Sequence, residues 1–392
     1  MTATRKRNII LIIAIALIAV NLRPSITGVG PLISEIRIDT GLSNSMLGML
    51  TTLPILAFGL CSLLAPVLTR RIGTGHTIAV ALSLLTTGIL IRIYPTFTAL
   101  FLGTAVLGVG IALGNVLLPG IAKSRFPKRF GLVTGIYAAM LGLGASAASG
   151  ISVPLSEGMG LGWRGALGVW AILSFIALIV WLPQTRGSRP VVNRLNLIQS
   201  LTSLGRSPLA WHVAIFMGLQ SITFYVMVAW LPEVLIERGM SPVRAGWMLS
   251  LTQIVGMTAT FFTPAWADRL ENQKVPVLIT QFMELVSVFG LMVPATSTGV
   301  VMLLVCFLGF GLGGSFGLAL LFIGVRAKDD ETANELSGMS QAVGYTLAAG
   351  APALFGALRD WFDNWTVPLV FLVLVILVKT WSGWKSGENR VL

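Results

Sequence analysis

The sequence predicts an all-α membrane protein with twelve transmembrane helices in two six-helix, pseudo-symmetric bundles. Three observations predict it. Of 392 residues, 55% are hydrophobic and 11% charged, where an average soluble domain has about 25% charged. Mean hydropathy is +0.86, so polar side chains are too few to cover soluble domains of this length. Apolar runs of about 20 residues, the length that crosses a bilayer, recur twelve times. Finally, the basic residues gather between alternate runs. These features exclude a soluble enzyme, a disordered chain and a fibrous one.

The runs are centred near residues 20, 56, 86, 110, 142, 172, 221, 253, 285, 311, 345 and 373. Each reads as a helix, because lipid offers the backbone no hydrogen-bond partner. Arg5, Lys6 and Arg7 before the first run resemble a signal peptide. The run lacks a small-residue cleavage site and further spans follow it, so a retained first helix is expected. The longest polar segment, about 183–208, divides the chain into a bundle over 1–182 and a second over 209–392.

With both termini cytoplasmic, 20 of the 27 basic residues fall inside, Arg5, Arg70, Arg125, Arg326 and Lys379 among them. Six fall outside (Arg37, Arg92, Arg164, Arg238, Arg244 and Arg359), and Arg23 is left within a span. The positive-inside rule then sets the orientation. It also accounts for the net charge of +12 without a nucleic-acid partner. Cys61 and Cys306 both lie in apolar runs and make no disulfide framework, and no metal-ligand spacing or cofactor motif occurs.

The halves read as repeats. An offset of 198 aligns Ser43 with Ser241, Gly48 with Gly246 and Arg71 with Arg269. An offset of 201 aligns Gly108 with Gly309 and Arg125 with Arg326, and one of 203 aligns Gly135 with Gly338. Six spans return the chain to its starting side, so the repeats are parallel, as in major facilitator transporters with a solute site between the halves. The segments NLRPSITGVGPLI, GIALGNVLLPG, FMGLQSITFYVMVAWLP and SGMSQAVGYTLAAGAPALFGALRD resemble the cyanate-permease family of that superfamily. Bacterial nitroimidazole transporters belong to the same group. The resemblance runs over about residues 8–380. The superfamily's loop signature is degenerate here, as PVLTRRIG at 66–73 and PAWADRLE at 264–271.

The resemblance implies a cavity lined by spans one, four, seven and ten, none of which is read as carrying an acid. Arg23 is then the principal cavity charge, and its planar fork suits a carboxylate or linear oxyanion. Pro24 loosens the helix beside it, with Asn21 and Thr27 close by. Further candidates are Asn115 in span four, Tyr137 in span five, Gln220 and Tyr225 in span seven, and Gln253 in span eight. Phe316 in span ten and Gln341 and Tyr345 in span eleven complete the set. The glycines of span four read as a packing face. Glu284, the acid near the middle of span nine, is either a coupling group or a packing residue beside Gln281. Arg70 and Arg71 are set against Asp329 and Asp330 as a cytoplasmic gate, with Asp268 and Arg269 beside the basic loop of Arg125 and Arg129. The acids at 329–330 also complement a helix start without any partner.

The expected function is secondary active transport of a small anionic or polar solute, cyanate-like or a small organic anion, by alternating access across the bacterial inner membrane. The competing expectation is export of small heteroaromatic compounds such as 2-nitroimidazoles. The expected partners are the solute, the lipid bilayer and a candidate coupling proton. A monomer is expected to suffice.

Overall fold

The computed structural model describes residues 3–126, 129–186, 204–293 and 297–392. Residues 187–203 of the expected central segment lie outside the described residues. The rest is helical. α1 (Ala3–Asn21) continues through a turn at Pro24–Thr27 into a helix over Ile33–Thr40. Asn44–Arg92 holds two spans, α2 and α3, which meet at Gly73. There follow α4 (Phe97–Arg125), α5 (Phe130–Val153) and α6, built from Gly162–Gly168 and Trp170–Trp181. The second half comprises α7 (Pro208–Glu237), α8 (Pro242–Ala267), α9 (Lys274–Gly290) and α10 (Thr298–Val325). It ends with α11 (Asp330–Ala349 and Ala351–Phe362) and α12 (Thr366–Ser386). Among the described residues, nine of these spans are long and apolar enough to cross a membrane. α8, α9 and α11 are shorter or more polar; α9 has 17 residues.

Local chemistry explains the boundaries. Ser43 caps α2 by accepting from the Met46 amide, and Thr96 and Ser297 cap α4 and α10 in the same way. Thr96 and Ser297 are separated by the offset of 201 found in the sequence. Gly73, from the degenerate loop signature, has φ 81° and joins α2 to α3. A side chain there would be strained.

The halves meet along two seams, α2 against α11 and α5 against α8, which the pseudo-twofold exchanges, and the turn after α1 also packs on α7 and α8. Small residues allow the approach. A methyl group at Gly48 would lie 2.5 Å from the Pro352 carbonyl oxygen, and one at Gly30 would lie 2.3 Å from that of Val228. At this end of the bundle, which carries Glu233, Arg37 reaches Glu233 at 2.5 Å across the halves. Asp360 of α11 accepts from the Asn44 and Ser45 amides that begin α2, at 3.1 and 2.9 Å. The Glu233 end is therefore shut.

Three charges expected in loops are buried instead; one of them, Arg326, 3% exposed, stays at the end of α10 and donates to the Ser386 carbonyl. Lys379 is 0% exposed within α12 and pairs at 2.5 Å with Glu284 of α9, also 0% exposed. Arg92, 1% exposed, donates to the Ser25 carbonyl at 2.7 Å. The loop asymmetry survives as 19 (20 − 1) against 5 (6 − 1), because one charge leaves each side.

Removing one partner of a buried ion pair costs about 3–5 kcal/mol, while replacing both by apolar groups is often neutral. Lys379→Met should therefore lower the thermal midpoint sharply, and Lys379→Met with Glu284→Leu should restore most of it. Melting both variants in detergent checks this.

Candidate functional site

The site begins with a backbone defect. Pro24 has no amide to donate, and Val20, four residues earlier, loses its helical partner. A methyl group at Gly144 of α5 would stand 2.2 Å from that carbonyl oxygen, so only glycine fits there. Arg23 precedes the proline with φ −114° and ψ −36°, still in the right-handed helical region that crowding ahead of a proline disfavours. The chain restarts with Ile26 and Thr27 donating to the Arg23 carbonyl, both at 3.0 Å. The break turns Arg23 out of α1 toward the other half.

There Arg23 Nη1 donates to the Tyr225 hydroxyl of α7 at 3.3 Å. The guanidinium carbon lies 5.3 Å from the Phe224 ring centroid and 5.9 Å from that of Tyr225. Phe58 of α2 packs on Tyr225 at 6.3 Å and edge-on to Tyr345 of α11 at 5.3 Å. Tyr137 of α5 donates to Asn115 of α4 at 3.2 Å, and both Tyr137 and Tyr345 lie within electrostatic reach of Arg23. Five expected residues thus converge from both halves: Arg23, Asn115, Tyr137, Tyr225 and Tyr345. Arg23 stays partly accessible to solvent and has donors beyond the one that Tyr225 uses. A cation ringed by aromatic faces, with spare N–H groups, can hold a small anion or a flat polar ring.

The other expected residues are placed differently. Asn21 donates to the Leu17 and Leu173 carbonyls, and Thr27 to those of Arg23 and Ala145. Both bind first-half backbone. Gln220 donates to Ser221, and Gln341 to Ser337 one turn away. Gln253 is buried in α8. Phe316 packs on a separate apolar cluster with Phe216 and Phe322. Phe58 and Phe224 were missed. Aromatic identity does not separate a cavity face from a lipid face, and Phe261 is 69% exposed.

Glu284 has a different partner from the one expected. Lys379 holds one carboxylate oxygen and also donates to Thr223 at 3.0 Å. Ser315 donates to the other oxygen at 2.9 Å, and Gln281 enters through Ser315. The reading that spans one and seven carry no acid is also corrected. The helix of α7 runs beyond its apolar stretch and holds Glu233, 5% exposed, while Glu35 and Asp39 lie on the continuation of α1. Arg70, Arg71, Asp268, Arg269 and Asp329 are all exposed. Asp329 caps α11 by accepting from the Thr332 amide at 2.8 Å. The Asp330 side chain lies outside the described residues. Among the described residues no cluster of His, Cys, Asp and Glu could hold a metal ion.

Comparison with known proteins agrees with this architecture. The family model for the Major Facilitator Superfamily matches residues 9–352. A 2-nitroimidazole transporter of Escherichia coli (strain K12) is 39% identical, over 98% of this chain and 97% of its own length. The cyanate transport protein CynX of the same organism is 30% identical, over 94% of each. The crystal structure of a D-xylose-proton symporter superposes with a TM-score of 0.77 at 15% identity, covering 98% of this chain and 99% of that one; this likeness speaks to the fold alone. With the twelve-span bundle, its two seams and relatives that match almost end to end, the chain belongs to the Major Facilitator Superfamily.

Proposed function

We propose that the chain is a secondary transporter that moves a small anionic or polar solute across the bacterial cytoplasmic membrane by alternating access. The observation that carries this reading is Arg23: a cation at the break in α1, facing the other half, bonded to Tyr225 and set among aromatic rings. A charge at that depth is costly and belongs to a cavity or a partner. The positive-inside asymmetry supports a cytoplasmic location for both termini and for the end carrying Arg70 and Arg326. The Glu233 end, closed by the Arg37 pair and the Asp360 bonds, then faces outward. This supports an inward-facing state. The two seams support the division into 1–182 and 209–392, and we infer that one chain suffices.

The ring cluster of Phe58, Phe224, Tyr225 and Tyr345 favours a second reading, export of small heteroaromatic compounds, which the name of one relative also suggests. A ligand that binds only the folded state raises the melting temperature. Cyanate, formate and benzoate are expected to stabilise the purified protein, with the effect lost in Arg23→Ala and weakened about tenfold or more in Arg23→Lys, which keeps the charge and loses the fork. Stabilisation by neutral 2-nitroimidazole that is equal in wild type and Arg23→Ala would favour the second reading.

Orientation has its own check. In a variant without Cys61 and Cys306, a cysteine at Ile38, 86% exposed, should react with an impermeant thiol reagent added to intact cells. A cysteine at Lys328 should react only after permeabilisation.

A further inference from the structure

The end of the molecule opposite Glu233 carries charge that neither the solute site nor the seams use. Three cations there share one acid. Glu388, just beyond α12, lies 3.6 Å from Lys274 Nζ at the start of α9, 3.4 Å from Lys385 Nζ of α12 and 3.3 Å from Arg390 Nε. One carboxylate against three cations leaves the cluster with an excess of two positive charges. Glu271 in the loop before α9 is exposed; even counted in full, it leaves the cluster positive. Close charge-assisted bonds run at about 2.7–2.9 Å, so these pairs are loose and the cations keep donors to offer. The side chains of Lys385 and Arg390 are 43% and 74% exposed.

The cluster is built into the fold. Residues 386–392 turn back on the bundle. Arg326 at the end of α10 donates to the Ser386 carbonyl at 2.8 Å, and the Leu392 amide donates to the Arg326 carbonyl at 2.9 Å. The Gln273 amide donates to the Gly387 carbonyl at 3.0 Å. These bonds hold Glu388 and Arg390 beside the start of α9. Two tryptophans complete the surroundings. Lys274 Nζ lies 4.8 Å from the Trp384 ring centroid, and Trp381 packs edge-on to His212 of α7 at 4.7 Å. Tryptophan at the end of a span marks the level of the lipid headgroups.

Apolar side chains lead from the cluster along the spans. On α12 Val370, Leu374, Leu377, Val378 and Trp381 are exposed, and on α9 Val275, Leu278 and Phe282. Spacings of three and four residues put each set on one stripe of its helix. α9 and α12 pack against each other, so the stripes belong to neighbouring helices and both start at the basic cluster. Stripes of this kind within spans suit acyl chains. Joined to an excess of positive charge at headgroup level, they match a molecule with apolar chains and an anionic phosphate.

We propose that the junction of α9 and α12 is a binding site for an anionic phospholipid. Lys274, Lys385 and Arg390 hold its phosphate, and its chains lie along the two stripes. Each basic residue near an anionic headgroup strengthens binding about fivefold. A zwitterionic head brings an ammonium of its own, which the same cations repel. The site lies wholly within the second half and depends on neither Arg23 nor the nature of the solute.

The test is native mass spectrometry of the delipidated full chain in detergent. The chain is titrated with phosphatidylglycerol or with phosphatidylethanolamine of the same acyl composition. Wild type is expected to retain phosphatidylglycerol at least about fivefold better. Lys274→Gln with Lys385→Gln should lose that preference, and Lys274→Arg with Lys385→Arg should keep it. Arg71→Gln with Arg269→Gln, which removes two exposed cations elsewhere at the same end, should also keep it. Equal melting midpoints without lipid check that the variants are folded. Equal retention of the two lipids by wild type overturns the proposal, as does a preference that survives in the double lysine-to-glutamine variant. A preference lost as fully in the Arg71 and Arg269 variant overturns it too, in favour of diffuse surface charge. Inorganic phosphate alone should leave the melting midpoint of wild type unchanged; if it stabilises as well as phosphatidylglycerol does, through the same lysines, the ligand is free phosphate and the lipid assignment falls.

Discussion

The cost of a charge in hydrocarbon governs most of what is particular to this molecule. Five of the described charged side chains that sit deep in or between the helices show how that cost is met. Lys379 and Glu284 neutralise each other, with Thr223 and Ser315 taking up further bonding capacity. Arg92 has no carboxylate among its described contacts; it binds the Ser25 carbonyl, an oxygen that the break in α1 makes available. Glu233 is met by Arg37 from the other half. Arg23 alone is set among aromatic rings with a hydroxyl and keeps access to solvent. A cation satisfied by quadrupoles and one neutral hydroxyl is still open to an anion. One locked to a carboxylate is not. That contrast, with its access to solvent, supports the proposal of Arg23 as the solute-binding cation.

The break that aims Arg23 depends on its surroundings. A proline in mid-span strands a carbonyl, and in a membrane that oxygen needs company. α5 brings Gly144 against the Val20 carbonyl. Thr27 then ties the restarted chain back to α5 through the Ala145 carbonyl, and Arg92 ties Ser25 to α3. Asn21 and Thr27 were expected to face the solute. They instead hold the broken segment to its own half, which fixes the direction in which Arg23 leaves the backbone. The residues that make the site possible are thus partly residues that never enter it.

Much of this was legible in the sequence. The spans, the parallel repeat and Arg23 follow from hydropathy, offset and the rarity of charge. The misplaced charges share one physical cause. An apolar run and a helix need not end together, because helix ends are set by backbone hydrogen bonds. Lys379 looks like a loop charge because the run before it stops there, yet α12 continues to Ser386. Glu233 looks like a loop acid because Leu231 and Pro232 close the run, yet α7 continues to Glu237. Side-chain direction was the other blind spot. Phe58 joins the site from α2, while Phe316 of α10, a span expected to line the cavity, turns to a separate cluster. Only three-dimensional packing decides such cases.

The repeat permits an internal comparison. In the first half, α3 meets α6 through Thr86 and Ser174, whose hydroxyl oxygens are 2.8 Å apart. In the second half, α9 meets α12 through Glu284 and Lys379. The offset of 198 aligns Thr86 with Glu284. The fold thus accepts a neutral pair at this junction, so the charges are not needed for the two helices to meet. What the ion pair adds is a heavy penalty for losing either partner, which makes the second half hard to deform from within. Charges paired inside a half stiffen it as a body, and charges paired across the seam at one end record whether that end is shut. Under the proposed alternating access, the Glu284–Lys379 and Glu233–Arg37 pairs divide these two tasks: halves that do not bend, and contacts between them that can change.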